Sequence, residues 1–338
     1  SQPRHQVKGE ALVRTEFLIM VMTTECKVLL HPESAALRFL PEGPYSLPQG
    51  GLSWVGIQHG AASSVGSVNI LDVASGNNVS HELPGRPGFA FPTSTPGVFI
   101  AGVERELGLF DTRSGQWTVL CDGVDSSVEN TIINDGVIYH DNLIFGCKEL
   151  EFKTRKAGLY LYRGRDRQLI KLRDDQICSN GKAVTAGIDD RLHLVDIDSP
   201  SKQITIAALD IDAGTLGEQS VIVDLSAEEV FPDGMLVTPN GQSLIVALYD
   251  PADPAFGVAR QYGLASGELE AVWTCPGSPR VTCPQLFSIE GAVHLVLTTA
   301  VEHMEADQQA RHPNAGCLFM GTTSFHSIGD QPVFPISG

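Results

Sequence analysis

Residues 235–249 read MLVTPNGQSLIVALY, which is two apolar runs separated by the turn residues Thr, Pro, Asn and Gly. Short apolar runs bounded by such residues predict two β-strands joined as a hairpin. The same arrangement recurs as GVIYHDNLIFG at residues 136–146 and FSIEGAVHLVLTTA at residues 287–300. Because helical periodicity is nearly absent from the sequence, strand pairs are expected to be the repeating unit of the fold.

Two sets of recurring motifs divide the chain into six units of about 50 residues. Motifs that open a strand pair align on Gly43, Gly88, Gly136, Gly181, Gly234 and Cys283. Motifs that end an apolar strand in a turn align on Leu71, Phe110, Leu161, Leu209, Tyr262 and Phe319. Six such units predict an all-β fold, a six-bladed β-propeller of four-stranded blades, whose closure removes exposed sheet edges. A solenoid is the competing arrangement, but solenoid repeats are mostly shorter and need end caps.

The chain ends suggest how the ring closes. Residues 27–31 read KVLLH, an apolar strand before the first unit, and the last unit is predicted to end with residues 333–335. Propellers are commonly closed by pairing strands from both termini, so residues 27–31 are expected to complete the sixth blade. Residues 25–338 are therefore predicted to be one propeller domain. Residues 1–24 have no counterpart in the repeats and are predicted to be an extension outside the core.

Composition narrows the class of protein. The chain has 338 residues, 34 Gly, 20 Pro and a net charge of −17, which is typical of a turn-rich globular protein. Its acidity argues against a nucleic-acid partner. The apolar run at residues 17–22 is too short to span a bilayer, so no membrane association is expected. Seven dispersed cysteines without a CxxC motif indicate reduced, buried thiols in a cytoplasmic protein, and the oligomeric state is left open.

Polar residues mark one mouth of the predicted channel. In a propeller the innermost strands line the channel, and their first residues cluster at one end of it. Oxygen-bearing side chains stand at or near these starts: Glu42, Asn134, Asp135, Asn180 and Asp233. Asp and Asn before Gly also make turns, so each pair alone favours a turn. Agreement between several repeats favours a site for a hard divalent cation.

These motifs give the chain a resemblance to the senescence-marker-protein, gluconolactonase and luciferin-regenerating-enzyme-like family over residues 26–338. They lie at residues 42–44, 134–136, 179–181, 232–234, 281–284 and 313–316. The resemblance implies a single divalent cation, calcium first, with magnesium, manganese or zinc as alternatives. It implies that Glu42, Asn180 and Asp233 are the metal ligands and that Asn134 faces the substrate. It also implies an enzyme that hydrolyses a sugar lactone or another small lactone, which would be the partner molecule.

Substrate contacts are predicted at four positions, and two segments depart from the family pattern. Ile132 stands where many members carry an Arg that contacts substrate, and residues 146–148 read Gly-Cys-Lys where many read Gly-Thr-Met. The predicted metal ligands thus match the family pattern, whereas the substrate-contacting positions depart from it and argue against gluconolactone as the substrate. Glu151, with Glu149 as its alternative, matches a family acidic residue near substrate hydroxyls. Cys283 is expected to face the mouth beside Asn134, with no base for a catalytic thiol visible in the sequence.

The expected chemistry follows from the ligands. A cation would polarise the lactone carbonyl, and Asp233 would accept the proton of the attacking water as general base. No G-x-S-x-G, HExxH, Walker or GxGxxG motif offers another mechanism. Two alternatives stay open, namely another metal-assisted ester or phosphoester hydrolase and a non-catalytic metal- or ligand-binding propeller. The insertion between Thr299 and Gly316 is predicted to contain one short helix, His303 to His312, and these two histidines either roof the site or are solvated.

Overall fold

The computed structural model describes residues 21–336. Two short strands and one helical turn precede the first blade. They are β1 (Met22–Glu25), β2 (Lys27–Leu30) and α1 (Ala35–Arg38). The remaining strands follow the predicted repeats, and in every blade the first strand is the innermost.

Blades one to three are regular four-stranded antiparallel sheets. Blade one comprises β3 (Pro41–Ser46), β4 (Leu52–Gly56), β5 (Ser67–Asp72) and β6 (Asn77–Glu82). Blade two comprises β7 (Pro87–Pro92), β8 (Val98–Val103), β9 (Glu106–Asp111) and β10 (Gln116–Cys121). Blade three comprises β11 (Thr131–Tyr139), β12 (Asn142–Glu149), β13 (Ala157–Arg163) and β14 (Gln168–Gln176).

Blades four to six carry the irregular features. Blade four comprises β15 (Ser179–Thr185), β16 (His193–Asp198), a 3₁₀ turn (Ser199–Ser201), β17 (Gln203–Asp210), β18 (Thr215–Leu216) and β19 (Ser220–Asp224). Both β18 and β19 pair with β17, so its outer strand is split. Blade five comprises β20 (Phe231–Val237), β21 (Ser243–Tyr249), β22 (Phe256–Gly263) and β23 (Leu269–Pro276). Blade six comprises β24 (Val281–Ile289), β25 (Ala292–Thr299), α2 (Ala306–Arg311) and β26 (Leu318–Thr322).

The six-bladed propeller and its closure confirm the prediction from the repeats. Strand β2 pairs antiparallel with β26 and completes blade six, with Lys27 opposite Met320. Strand β1 adds a fifth, parallel strand to blade five, with Met22 opposite Ala271. The extension predicted for residues 1–24 therefore joins the propeller at its last three residues, because the outer edge of β23 is available for pairing. Residues 1–20 of that extension lie outside the described part of the chain.

The last described residues do not belong to blade six, contrary to the prediction that it ends at residues 333–335. After β26 the chain crosses the far end of the channel. There the Tyr45 hydroxyl donates to the Pro332 carbonyl at 2.7 Å, and Phe334 forms a parallel bridge with Thr93 of blade two. Phe334 is fully buried, which explains why this apolar segment resembles a strand in sequence.

The core is divided among the blade interfaces. Six apolar clusters are described, and each lies between two consecutive blades around the ring. Large side chains such as Trp54, Phe89, Phe145 and Phe319 are buried in them. All seven cysteines are free, as the sequence predicts, and six of them are buried. None of the helices described here is long and apolar enough to cross a membrane.

Candidate metal centre

Each inner strand is interrupted at the same point by a β-bulge. In blade three the register passes from Ile133 to Gly136, so that residues 134 and 135 together oppose a single residue of β12. Equivalent shifts occur at residues 42–45, 87–89, 179–182, 232–235 and 281–283. A bulge bends its strand and redirects the side chains within it. The six bulges together form the mouth of the channel. Asn134, Asn180 and Asp233 are the first bulged residues of their strands, and Glu42 lies one position earlier, still paired with Val55.

Glycine follows two of the predicted ligands because neighbouring inner strands approach closely at this mouth. A Cβ atom at Gly181 would lie 2.6 Å from the Asp233 carbonyl oxygen. One at Gly234 would lie 2.6 Å from both the Cys283 Sγ and the Thr282 carbonyl oxygen. Only glycine fits such contacts without moving backbone, so the Asn-Gly and Asp-Gly pairs serve close packing rather than a hairpin turn.

Glu42 and Asp233 are buried near each other. Burial and the charge of Asp135 raise the pKa of Glu42 to about 8. The hydrogen bond from the Gly43 N–H at 2.8 Å and the neighbouring Cys283 thiol both oppose the rise. Burial, followed by the charge of Glu42, holds the pKa of Asp233 well above its ordinary value. The Asp233 carboxylate accepts no hydrogen bond from residues 21–336. Such a pair of carboxylates is unfavourable unless a cation compensates it.

Asn180 is fixed from both sides by hydrogen bonds. Its Oδ1 accepts from Asn134 Nδ2 at 3.1 Å, and its Nδ2 donates to Ser199 Oγ at 2.7 Å. Ser199 Oγ in turn donates to the Pro232 carbonyl at 2.6 Å, one residue before Asp233. Asn134 also donates to the Ser179 carbonyl at 2.7 Å. The strands of blades three, four and five are therefore linked at the mouth through side chains.

Cys283 lies at the mouth but is not a candidate nucleophile. Burial and then the charge of Glu42 hold the pKa of its thiol well above its ordinary value. A thiol that stays protonated is a poor nucleophile. The Cys283 Sγ lies 3.9 Å from the Pro284 carbonyl, and its proximity to Glu42 lowers the pKa of that carboxylate against the stronger effect of burial.

The two acidic residues after β12 have different environments. Glu149 is buried, and its carboxylate accepts the N–H groups of Glu151, Lys153 and Thr154, with distances between 2.7 and 3.2 Å. The Glu151 side chain is 63% exposed and lies 3.9 Å from Lys153 Nζ. The structure therefore gives Glu149 a role in shaping the loop and leaves Glu151 outside the buried cluster.

Ile132 and Lys148 face each other across blade three. They are directly opposite in the β11–β12 register, and both are buried, with exposures of 3% and 8%. A backbone bridge joins Lys148 to Cys178, two residues before Asn180. The ammonium of Lys148 counteracts the raised pKa values of Glu42 and Asp233, whose main cause is burial. This cation therefore belongs to the mouth, although sequence reasoning assigned it no role.

The insertion of blade six lies on the same side of the ring as the mouth. The Tyr249 hydroxyl donates to the Glu302 carbonyl at 3.0 Å, and the charge of Glu302 contributes to the raised pKa of Asp233 after burial, Glu42 and Asp135. His312 is buried and pairs with Asp253 of the β21–β22 loop, whereas the His303 side chain is 68% exposed. The predicted short helix is confirmed as α2, and only His312 is part of the packed structure.

Below the mouth, a cavity of about 620 Å³ follows the channel. Its lining runs from Gly43, Asp135 and Cys283 at the mouth to residues 328–332 at the far end. Lys182 also lines it and is itself paired, 3.4 Å from Asp196. The candidate centre therefore lies where the channel opens, between this cavity and the loops above.

The residues at the mouth fit a hard cation. Within residues 21–336, no three His, Cys, Asp or Glu side chains form a metal-ligand group by themselves. The set predicted here is two carboxylates and a carboxamide, Glu42, Asp233 and Asn180, which are oxygen donors suited to calcium or magnesium. The two buried carboxylates supply negative charge, and the Asp233 oxygens are not used by protein donors of the described residues.

The fold and the candidate centre together describe a six-bladed propeller with oxygen donors at one mouth of its channel, which can be compared with known proteins. The chain belongs to the family described as the SMP-30/Gluconolactonase/LRE-like region, whose sequence profile matches residues 40–301. An uncharacterized protein of Sulfolobus acidocaldarius is 34% identical over 158 residues, or 47% of this chain and 53% of that protein. A Bacillus subtilis protein provisionally named sugar lactone lactonase YvrE is 26% identical over 193 residues, or 57% and 61% of the two chains.

The chain spans about half to three fifths of the length of these two curated relatives. Among solved structures, a calcium-binding protein from Agrobacterium tumefaciens, regucalcin, matches with a TM-score of 0.78. The match covers 94% of this chain and 100% of that chain at 20% identity. At this identity the similarity establishes the fold, which agrees with the sheet order described above.

Proposed function

We propose that the protein is a metal-dependent hydrolase that opens a lactone ring. The observation that carries the proposal is the buried carboxylate pair, Glu42 and Asp233, at a mouth that also presents Asn134 and Asn180. Membership of the gluconolactonase-containing family supports it, as does the name of the Bacillus subtilis relative. Because gluconolactone requires contacts to several hydroxyls, buried Ile132 favours a small lactone with an apolar edge.

Glu42, Asn180 and Asp233 would hold one divalent cation, with calcium the first choice among calcium, magnesium, manganese and zinc. When bound, the cation supplies polarisation of the lactone carbonyl and stabilisation of the oxyanion that attack produces. Proton transfer and the orientation of the reactants are assigned to residues of the chain. The Asp233 carboxylate accepts a proton from the attacking water, because no donor among the described residues occupies it.

The other side chains position the reactants. Asn134 holds Asn180 through its Nδ2, and its Oδ1 faces no donor among residues 21–336, so it can accept from a substrate hydroxyl. Ile132 excludes water from one side of the site. The Cys283 thiol keeps its proton and lies beside Glu42, whose carboxylate is held by the N–H of Gly43 at 2.8 Å. Glu151 is left out of the proposed site because its side chain is largely exposed.

The test is hydrolysis of a substrate panel by chelated, desalted protein before and after adding each of the four cations. The panel contains gluconolactone, aliphatic γ-lactones, aryl esters and aryl phosphates. We expect cation-dependent opening of aliphatic lactones. Asp233→Asn should lower kcat by about 10²–10⁴, the cost of losing a general base. Glu42→Gln should weaken cation binding, with partial recovery at high cation concentration, and Glu151→Gln is the matched exposed control.

Each part of the proposal has its own contradicting result. Full activity after chelation would end the metal hypothesis. Near-normal kcat in cation-saturated Asp233→Asn would remove Asp233 as base. Preference for gluconolactone by tenfold, about 1.4 kcal/mol, would refute the role given to Ile132. Turnover of aryl phosphates alone would favour a phosphoesterase, and cation binding without any turnover would favour a non-catalytic binding protein.

A further inference from the structure

Lys148 is a buried cation without a partner. Its exposed fraction is 8%, and its ammonium makes no hydrogen bond or salt bridge with any residue of the range 21–336. Lys182 gives the contrast, because it donates to Ser179 Oγ at 2.7 Å and lies 3.4 Å from Asp196 Oδ1. Burying an ammonium is costly unless a charge or a hydrogen-bond acceptor compensates it. An unpaired lysine at this depth therefore points to a ligand.

The backbone fixes where this ammonium can reach. Lys148 is opposite Ile132 in the sheet and is bridged to Cys178, so it stands between blades three and four at the mouth. Its charge lowers the pKa values of Glu42, Cys178 and Asp233 against the larger effect of burial, which raises all three. The ammonium thus faces the same space as the proposed ligands.

The missing hydrogen-bond acceptor then selects the kind of ligand. If Glu42 and Asp233 hold a divalent cation, as the proposed function requires, their carboxylates are occupied by that cation. Lys148 then remains beside the substrate space as an ammonium to which no residue of the range 21–336 offers an acceptor, although the charges of Asp135 and Glu302 also act on the mouth. The carbonyl of a neutral lactone would accept only an ordinary hydrogen bond from it, whereas a substrate carboxylate would form the stronger, charge-assisted one.

We propose that Lys148 binds a carboxylate carried by the substrate, so that the lactone opened here is an acidic one. The inference rests on the proposed function for the reaction and adds the substrate class. Ile132, directly opposite, would contact the apolar part of the same ring. Together the two residues specify a small carboxylated lactone with few hydroxyls rather than a neutral polyhydroxylated one.

The experiment compares γ-carboxy-γ-butyrolactone with its γ-carboxamide, which has the same shape and no charge. We expect wild-type kcat/KM to favour the carboxylate by at least about tenfold, and Lys148→Met to reduce this ratio by about 10- to 100-fold, the usual range for a hydrogen bond to a charged group. Lys148→Arg should keep most of the preference. Lys153→Met removes the same charge from an exposed side chain of the same segment and should leave the ratio unchanged.

A binding measurement separates this inference from the proposed function. Isothermal titration with cyclopentanecarboxylate, which cannot be hydrolysed, should show affinity that Lys148→Met lowers by about 10- to 100-fold. If binding depends on Lys148 but neither lactone is hydrolysed, the proposed lactonase function is wrong and the carboxylate-binding role of Lys148 is supported. If both lactones are hydrolysed equally well, or if Lys148→Met does not change cyclopentanecarboxylate binding, the carboxylate-binding role of Lys148 is wrong. The proposed lactonase function would be unaffected by either result. Calcium binding that appears only in Lys148→Met would also overturn the carboxylate-binding role, because Lys148 would then occupy the place of the cation.

Discussion

Ser199 connects two parts of the candidate centre that come from different blades. Its hydroxyl accepts from the Asn180 carboxamide and donates to the carbonyl of Pro232, the residue before Asp233. A single side chain thus holds the proposed carboxamide ligand against the strand that carries a proposed carboxylate ligand. Hydrogen bonds of this kind orient metal ligands, and losing one typically costs about 10- to 100-fold in affinity.

Removal of this hydroxyl should weaken cation binding without unfolding the propeller. For Ser199→Ala we expect calcium affinity, measured by isothermal titration, to fall by about tenfold, at the low end of the effect of such partners. Ser201→Ala is the control, because Ser201 lies in the same 3₁₀ turn and donates to the Asp198 carbonyl instead. Equal affinities for Ser199→Ala and wild type would show that Asn180 needs no such support or is not a ligand.

At this scale the sequence indicates candidate ligands better than the residues that support them. Asn180 and Asp233 lie within the recurring bulge and Glu42 lies directly before it, and the family resemblance of these motifs singles out all three. Ser199 follows a strand end in an Asp-Ser-Pro turn, and nothing in that pattern indicates contact with the next blade. Lys148 is conspicuous only through its burial. Contacts of this type arise from packing between blades, which local pattern does not encode.

The loop after β12 is organised by one carboxylate. Glu149 accepts three backbone N–H groups of the residues that follow it and one side-chain N–H from Asn130 at 3.2 Å. Although burial opposes this, the backbone bonds led by that of Lys153 hold its pKa below the ordinary value of 4.5. Sequence could not separate Glu149 from Glu151, because both follow the same strand and only the turn of the loop distinguishes them.

The lowered pKa makes the order of this loop depend on pH. A carboxylate with a depressed pKa in the folded state stabilises above its unfolded pKa, and this contribution is lost as pH falls through the folded pKa. We therefore expect amide-exchange protection at residues 151, 153 and 154 to be constant near neutrality and to fall below about pH 4. Glu149→Gln should lose about tenfold in protection at neutral pH. Glu151→Gln should behave as wild type, and pH-independent protection in wild type would contradict the assignment.

Strand β1 sets the limit for shortening the amino terminus. Four residues, Met22–Glu25, pair with β23, whereas residues 1–21 contribute none of the described strands. Deletion of residues 1–21 is therefore expected to leave activity unchanged and the melting temperature within about 2 °C. Deletion of residues 1–25 should lower it further, since the outer edge of blade five is uncovered. A drop of more than about 5 °C in the shorter deletion, measured by calorimetry, would contradict this boundary.

At the scale of the whole molecule, three buried carboxylates meet at the mouth of the channel. The mouth gathers Glu42, Asp135 and Asp233, and the chain as a whole carries a net charge of −17. Mutual repulsion of buried carboxylates destabilises the metal-free fold. A cation that binds only the folded state reverses this effect by mass action.

The melting temperature should therefore report the metal. Calcium at 100 times its Kd stabilises by about 2.7 kcal/mol, which corresponds to a rise of about 4 °C for a chain of this size. In chelator, Glu42→Gln should melt at or above wild type because it removes a buried carboxyl group whose ionisation is unfavourable without a cation, and calcium should then add little. Calorimetry of both proteins with chelator and with each cation gives the comparison. A wild-type melt that no cation shifts would refute the centre.

The architecture of the ring was accessible from sequence because its units repeat and each repeat carries its own turn signals. The path of residues 323–336 was not, since Phe334 is an apolar residue that packs against blades two and three instead of extending its own blade. This segment crosses the far end of the channel through individual contacts, such as the hydrogen bond from Tyr45 to the Pro332 carbonyl, that do not recur in the other blades. Features that occur once leave no period to detect.

The pairing of β2 with β26 has a consequence for the biosynthesis of the chain. Strand β2 leaves the ribosome well before its partner at residues 318–322 is made. At roughly 5–20 residues per second the interval between them is on the order of 15–60 s. Throughout that time the nascent ring is open and presents an unsatisfied strand at each end. Chaperone binding to nascent chains, and aggregation of products truncated before residue 318, should therefore be concentrated in this window.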